Sequence, residues 1–316
     1  MKLLLSLVFL CVLATAATAE SLAPDPSRLK LKSANVLVFD TAADRQIYAK
    51  AADEVTPIAS VTKLMTAMVV LDAQQPLDET LAIDTGDLDY LKGSHSRLRI
   101  GSALSRREML QLALMSSENR AASSLARHYP GGTPALVAAM NFKAASLGMS
   151  HTHYSDATGL SAENVSTAND LAKLVQAAAE YPLVREFTTT PSHLVEVQPT
   201  GRTLGFNNSN ALVKNQSWDI QLQKTGYIRE AGKCVVMLVN IASKPIVIVL
   251  LDSLGKYTRI ADAQRVKHWI ETGESLVIAT PKPARSVKAK TAAVKTSKSR
   301  THGAFEPRLD KVLAQR

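Results

Sequence analysis

Cys234-Val235-Val236-Met237-Leu238-Val239-Asn240-Ile241, followed after Ala242-Ser243-Lys244-Pro245 by Ile246-Val247-Ile248-Val249-Leu250-Leu251, is the stretch that sets the fold class. Both runs are rich in β-branched residues, whose stiff side chains suit a pleated surface. Ala242 to Pro245 reads as a hairpin connection between them. Near the other end of the chain, Asn35 to Phe39 and Gln46 to Ala49 are short apolar runs separated by a turn-like Asp40 to Arg45. Asp72 to Thr200 is mostly helical by pattern. Strands at both ends of a helical block predict an α+β body whose sheet is assembled from distant segments.

Within the block, Arg107 to Arg127 reads as one amphipathic helix, Thr133 to Leu147 as a second, and Thr167 to Ala179 as a third with Thr167 and Asp170 as a capping box. Gly131-Gly132 and Gly148 are breaks. A helix is expected near Ser60, where Val61, Leu64, Met65, Met68 and Val69 recur at helical spacing after Pro57. Arg259 to Glu271 is a last helix, with Gly273 just past its end. No internal repeat is present.

The chain has 316 residues, 46% of them hydrophobic and 21% charged, which is a globular composition. Lys2, the apolar run Leu3 to Val12, and Ala17-Thr18-Ala19 form a secretory signal, residues 1–19, expected to be cut after Ala19. The run is short for a membrane anchor, since a span needs about 20 apolar residues. Before Cys11, Val8, Phe9 and Leu10 lack the small residue of a lipoprotein signal. Residues 20–33 are a polar lead-in to a body at 34–278. Cleavage leaves Cys234 as the single cysteine, which excludes an internal disulfide and reads as a small buried hydrophobe. No cysteine or histidine cluster has zinc-site spacing, so no metal or other cofactor is expected.

The net charge is +9, but residues 281–316 hold ten Lys or Arg against Glu306 and Asp310, so the body is close to neutral. The tail, 279–316, is rich in Lys, Arg, Ala, Ser and Thr and is expected to be disordered. It reads as a solubilising tail or as one drawn to an anionic cell wall or lipid surface. Nucleic acid is not an expected partner, because the chain is exported and the tail nearly lacks aromatic residues.

Three motifs carry chemistry. Ser60-Val61-Thr62-Lys63 places an amine one helical turn from a hydroxyl, and a hydroxyl needs a base beside it to attack. Free backbone N–H groups at a helix start favour a developing negative charge. Ser27–Lys30 and Ser253–Lys256 repeat the spacing, but only Ser60 follows Pro57 and opens an apolar helix, Ile58 to Leu71. Ser117-Glu118-Asn119 lies 57 residues further on, and Lys224-Thr225-Gly226 lies 107 residues beyond Ser117. The ordered triple is far more specific than any of its parts.

On these motifs the chain resembles the low-molecular-weight penicillin-binding proteins, serine D-alanyl-D-alanine carboxypeptidases and endopeptidases, from about Val36 to Glu271. Pro57 to Ala67, Ala113 to Asn119, Tyr154 to Leu160 and Asn164 to Ala168 agree with it. The absence of a large extra C-terminal β-domain points to the endopeptidase branch. The resemblance implies a β-lactamase/transpeptidase-like fold: an antiparallel sheet flanked by helices, with a mostly helical subdomain. It implies Ser60 as the nucleophile and Lys63 as its base, with an amine pKa lowered by burial or by a neighbouring cation such as Lys224. Ser117 would pass the proton to the leaving amine, and Asn119 would hold Lys63 and the substrate amide. Lys224 and Thr225 would bind a substrate carboxylate, with Arg229 a weaker candidate. Gly226 would let substrate backbone approach. Backbone N–H groups of Ser60 and Tyr227 would form the oxyanion hole. The implied reaction is hydrolysis of D-alanyl peptide bonds in peptidoglycan, in the periplasm, with D-Ala–diaminopimelate cross-links favoured as substrate and β-lactams as covalent inhibitors.

Glu118 stands where the family has Asp; the roles carried over do not use that side chain. A β-lactamase is the nearest rival, but the Glu-x-x-x-Asn spacing of a class A deacylating glutamate is missing, since Glu163 is followed directly by Asn164. A catalytically dead wall-binding protein is the other, and intact catalytic residue types argue against it. No Gly-x-Ser-x-Gly elbow occurs, and His95, His128, His151, His153, His193 and His268 read as surface or structural.

Overall fold

The computed structural model describes residues 24–255 and 257–276. The expected signal peptide, 1–19, and basic tail, 279–316, lie outside the described residues. Strands β1 (Asn35–Asp40), β2 (Arg45–Lys50) and the two-residue β3 (Thr56–Pro57) lead into a 3₁₀ turn, Ala59–Thr62, and helix α1 (Lys63–Asp72). The helical block holds α2 (Arg106–Met115), α3 (Asn119–Arg127), α4 (Gly132–Ser146), α5 (Ala168–Ala179) and α6 (Pro182–Thr189). Short strands β4 (Thr80–Ala82), β5 (Ala103–Ser105) and β6 (Val165–Ser166) interrupt it, and the hairpin β7 (Ser192–Val197) and β8 (Arg202–Asn207) closes it. Strands β9 (Asp219–Ile228), β10 (Gly232–Ile241) and β11 (Lys244–Ser253) and helix α7 (Thr258–Thr272) complete the chain.

The main sheet runs β2-β1-β11-β10-β9, with every pairing antiparallel. Its α+β architecture is the one expected from the terminal strands. Side chains alternate between two cores. Leu37, Cys234, Val236, Val247, Val249 and Leu251 pack under the helical block. Val36, Val38, Val235, Met237, Val239, Ile246, Ile248 and Leu250 pack with Val266 and Trp269 of α7 on the other face. Both faces are dry, which is why β10 and β11 read as unbroken apolar runs. Each buried Val, Leu or Ile contributes roughly 1.5–3 kcal/mol.

Several boundaries differ from the sequence reading. Pairing on the β10–β11 hairpin begins at Ile241↔Lys244, so only Ala242 and Ser243, at φ 49° and 62°, form the turn. Such primed two-residue turns match strand twist, and they leave Lys244 and Pro245 inside β11 rather than in the connection. Asp72 to Thr200 is less helical than its pattern, because β4, β5, β6, β7 and the segment 84–102 lie within it. Arg107 to Arg127 is two helices, not one. The capping box at Thr167 is half made: Thr167 accepts from the Asp170 N–H, while the Asp170 carboxylate binds His151 N–H, Thr152 Oγ1 and Lys173 instead. The lead-in is tied down, with Ser33 N–H and Oγ donating to the buried Asp262 of α7 and Trp269 Nε1 donating to the Asp25 carbonyl. No helix among the described residues is long and apolar enough to cross a membrane.

Candidate active site

Ser60 sits where three segments meet. Pro57 in β3 pairs with Val165 in β6, and the Ile58 N–H donates to the Asn164 carbonyl at 3.0 Å. Ala59 then takes φ 49°, a left-handed conformation that costs a residue with a Cβ about 1–2 kcal/mol. The chain enters the 3₁₀ turn Ala59–Thr62 before α1 begins at Lys63. In a 3₁₀ turn residues three apart eclipse one another, so Lys63 comes directly beneath Ser60. Its Nζ lies 2.9 Å from Ser60 Oγ, 2.8 Å from Asn119 Oδ1 and 2.6 Å from the Thr158 carbonyl. Lys63 is 1% exposed.

The strained turn is braced from below. Asn164 is fully buried; its Nδ2 donates to Thr62 Oγ1 and the Asp156 carbonyl, and its Oδ1 accepts from the N–H groups of Ser155 and Asp156. Asp156 in turn accepts from the N–H groups of Thr158, Gly159 and Ser161. This nest aims the Thr158 carbonyl at Lys63. Gly159, at φ 79°, lies against the turn so closely that a Cβ on it would fall 2.0 Å from the Ala59 carbonyl oxygen.

The second motif is a break, not a helix interior. Ser117 has φ 62°, and Glu118 becomes the N-cap of α3, its carboxylate accepting from the Arg120 N–H at 3.3 Å. A carboxylate suits that position because free N–H groups and the helix dipole favour it. That explains how Glu118 can replace Asp. The break aims Ser117 Oγ at Lys224 Nζ, 2.9 Å away, while Asn119 Nδ2 donates to Ser94 Oγ at 2.9 Å.

The third motif lies on β9, an edge strand that the sequence reading placed merely ahead of the strand pair. Lys224 is completely buried; besides Ser117 it donates to the Thr225 carbonyl. Thr225 Oγ1 donates to Ser209 Oγ at 2.7 Å, and the Ser209 N–H is held by the Met115 carbonyl. A Cβ on Gly226 would stand 2.9 Å from the Ile58 carbonyl oxygen and 3.1 Å from Ser60 N. Gly226 is therefore required first by the Ser60 turn itself, beyond any close approach of a substrate. Tyr227 is 59% exposed at the mouth. Behind the strand the cation is Arg259 of α7, whose Nη1 donates to the Gly226 and Cys234 carbonyls; Arg229 is exposed.

Burial dominates the electrostatics. It pushes the Lys63 ammonium down to about 7, against the carboxylates of Asp156, Glu118 and Asp89, which pull it back up. Burial also lowers Lys224, followed by the positive charges of Lys63 and Arg259. Burial thus does to Lys63 what a neighbouring cation was expected to share in. An amine neutral near pH 7 and hydrogen-bonded to a hydroxyl is a competent general base. Glu163, the acid of the rival reading, is exposed, and its N–H donates to Ser161 Oγ. Among the described residues no group of three or more His, Cys, Asp or Glu side chains is placed to hold a metal ion. Ser94, Thr158, Asn164, Ser209 and Arg259 are the site residues that the spacing of the three motifs does not reveal.

Residues 19–255 match the D-alanyl-D-alanine carboxypeptidase family. A D-alanyl-D-alanine endopeptidase of Pseudomonas aeruginosa is 50% identical over 288 residues, covering 90% of this chain and 92% of the relative. Another, of Escherichia coli, is 49% identical over 267 residues, 84% of this chain and 86% of that one. Among solved structures, a Streptomyces DD-transpeptidase superposes with a TM-score of 0.69 at 27% identity, covering 74% of this chain and 95% of the other. The fold and the site define a serine D,D-peptidase. The chain belongs to the D-alanyl-D-alanine carboxypeptidase family, and both of these relatives at about half identity are D-alanyl-D-alanine endopeptidases.

Proposed function

We propose that this chain is a D,D-endopeptidase that hydrolyses D-Ala–diaminopimelate cross-links of peptidoglycan through an acyl-enzyme on Ser60. The observation that carries the reading is the convergence of a buried amine near neutrality, Lys63, with Ser60 Oγ at 2.9 Å. Ser60 Oγ attacks the D-Ala carbonyl as its proton passes to Lys63 Nζ. Backbone N–H groups of Ser60 and Tyr227 receive the oxyanion. The tetrahedral adduct then expels the amine, which takes a proton relayed by Lys63 and Ser117. Water attacks the ester with Lys63 again as base, releasing the acid and restoring Ser60. Asn119 fixes Lys63, and Lys224 and Thr225 receive a substrate carboxylate. The relatives' names support the endopeptidase preference.

In the same reading, residues 1–19 direct export and are removed, 20–33 lead in, 34–278 form the peptidase domain, and 279–316 form a basic tail drawn to the wall or membrane surface. The enzyme works in the periplasm, and β-lactams acylate Ser60. Purified cross-linked muropeptide dimers provide the test. Conversion to monomers by the wild type, and none by Ser60→Ala, is expected. Release of free D-alanine with the dimer intact would assign carboxypeptidase activity instead.

A further inference from the structure

Away from Ser60, the β7–β8 hairpin and the segment 97–102 line an open cavity of about 340 Å³. Three of its lining residues are arginines, Arg97, Arg99 and Arg202, and none of the lining residues is acidic. The remaining wall includes Ile100, Val197 and Leu204. The arrangement is built, not incidental. Mutual backbone bonds between Ala103 and Gln198, at 2.9 and 3.1 Å, pin the two segments together. The register Val195↔Leu204 and Val197↔Arg202 puts these four side chains on one face of the hairpin, while Glu196 and Thr203 occupy the other. The hairpin's own acid is thereby turned away. Arg97 is fixed by its Nη1 bond to the Gly205 carbonyl and by stacking 4.0 Å over Phe206. Among the described residues no ion pair engages Arg97, Arg99 or Arg202.

One chain segment contributes both to the catalytic site and to the wall of this cavity. Ser94 touches Asn119, and Arg97 and Arg99 follow in the same segment. Five residues of extended chain reach at most about 18 Å, the scale of a short peptide. Guanidinium groups recognise carboxylates through paired N–H donors, and the apolar wall suits aliphatic stems. We propose that this cavity is an accessory substrate subsite, binding free carboxylates of the peptide that extends from the scissile D-alanyl bond. The assignment rests on the endopeptidase reading above, and it makes the enzyme select acidic, uncapped stem peptides.

The test compares a cross-linked peptide dimer carrying its free carboxylates with the same dimer amidated at the positions remote from the scissile bond. Wild type and an Arg99→Gln/Arg202→Gln double variant are assayed with both. The wild type is expected to prefer the free dimer about tenfold through KM, with kcat unchanged, and the preference shrinks as salt rises. The double variant loses the preference while its acylation by penicillin is unchanged, which shows the site and fold intact. Binding of both dimers to Ser60→Ala protein reads the cavity without turnover. If the wild type cleaves neither dimer yet Ser60→Ala binds the free one tenfold tighter, the endopeptidase reading fails and the subsite stands. If both proteins treat the two dimers alike in cleavage and binding, the subsite is wrong.

Discussion

The turn at Ser60 and the break at Ser117 both use a left-handed residue to aim a serine into one pocket, and they are held in opposite ways. Ala59, at φ 49°, is locked by a dense network: Asn164 and Asp156 below, Gly159 and Gly226 pressed against it. Ser117, at φ 62°, stands between two helices whose own caps fix it, Ser116 closing α2 and Glu118 opening α3. The nucleophile's strain is therefore imposed by tertiary contacts. The relay serine's conformation is imposed by local chain ends. Strain that must survive catalysis at one position is held by many weak fixings, most of them distant in sequence, with Thr62 Oγ1 donating to the Ala59 carbonyl as a local one.

The largest difference between the two positions should appear at the base. Lys63→Ala removes the only amine bonded to Ser60 Oγ among the described residues, and acylation by penicillin should fall about 10³-fold, followed by stopped-flow or quenched mass spectrometry. In the wild type the acylation rate should climb with pH through about 7 as Lys63 loses its proton. A rate flat from pH 6 to 8 would mean that Lys63 is not the base. The sign for stability follows from the same lowering. The folded chain holds fewer protons than the unfolded one between about 7 and the ordinary lysine value of 10.5, so this group's contribution to stability grows as pH rises through that window.

Gly159→Ala should come next. Its Cβ would meet the Ala59 carbonyl oxygen at 2.0 Å, at a φ of 79°. The expected outcome is a loss of about 3 kcal/mol in denaturant unfolding and a roughly 100-fold slower acylation. Asn164→Ala leaves the turn its glycines but strips the buried bonds to Thr62, Ser155 and Asp156. Acylation should slow about 30-fold, with about 2 kcal/mol of stability lost; an unchanged rate would show that the turn holds itself. Ser117→Gly should be the mildest. Glycine accepts positive φ freely, so unfolding stability should move by no more than about 1 kcal/mol while acylation falls about tenfold. A loss as large as that of Gly159→Ala would erase the contrast between the two positions.

Much of this was readable before the structure. The β-branched runs at Cys234 and Ile246 announce the sheet because both of its faces are buried. Ser60-x-x-Lys63 announces the base because a single turn joins the two side chains. The break at Ser117 was hidden because Ser116-Ser117-Glu118 contains neither Gly nor Pro, and apolar positions continue in helical phase on both sides of it. Strand β9 was hidden because Gln223, Lys224 and Thr225 are polar residues turned inward for the site and its supports. Ser209 and Arg259 were invisible for another reason: Ser209 reaches the site only because the end of α2 holds its N–H beside β9, and Arg259 only through the packing of α7, which no local spacing encodes.

The central claim is that Ser60 is the acylated nucleophile. Intact mass of wild type and Ser60→Ala, followed over time after mixing with penicillin, tests it directly. A long-lived adduct of one penicillin on the wild type alone is predicted. An equal adduct on Ser60→Ala, or rapid drug hydrolysis by the wild type with no accumulating adduct, would contradict it.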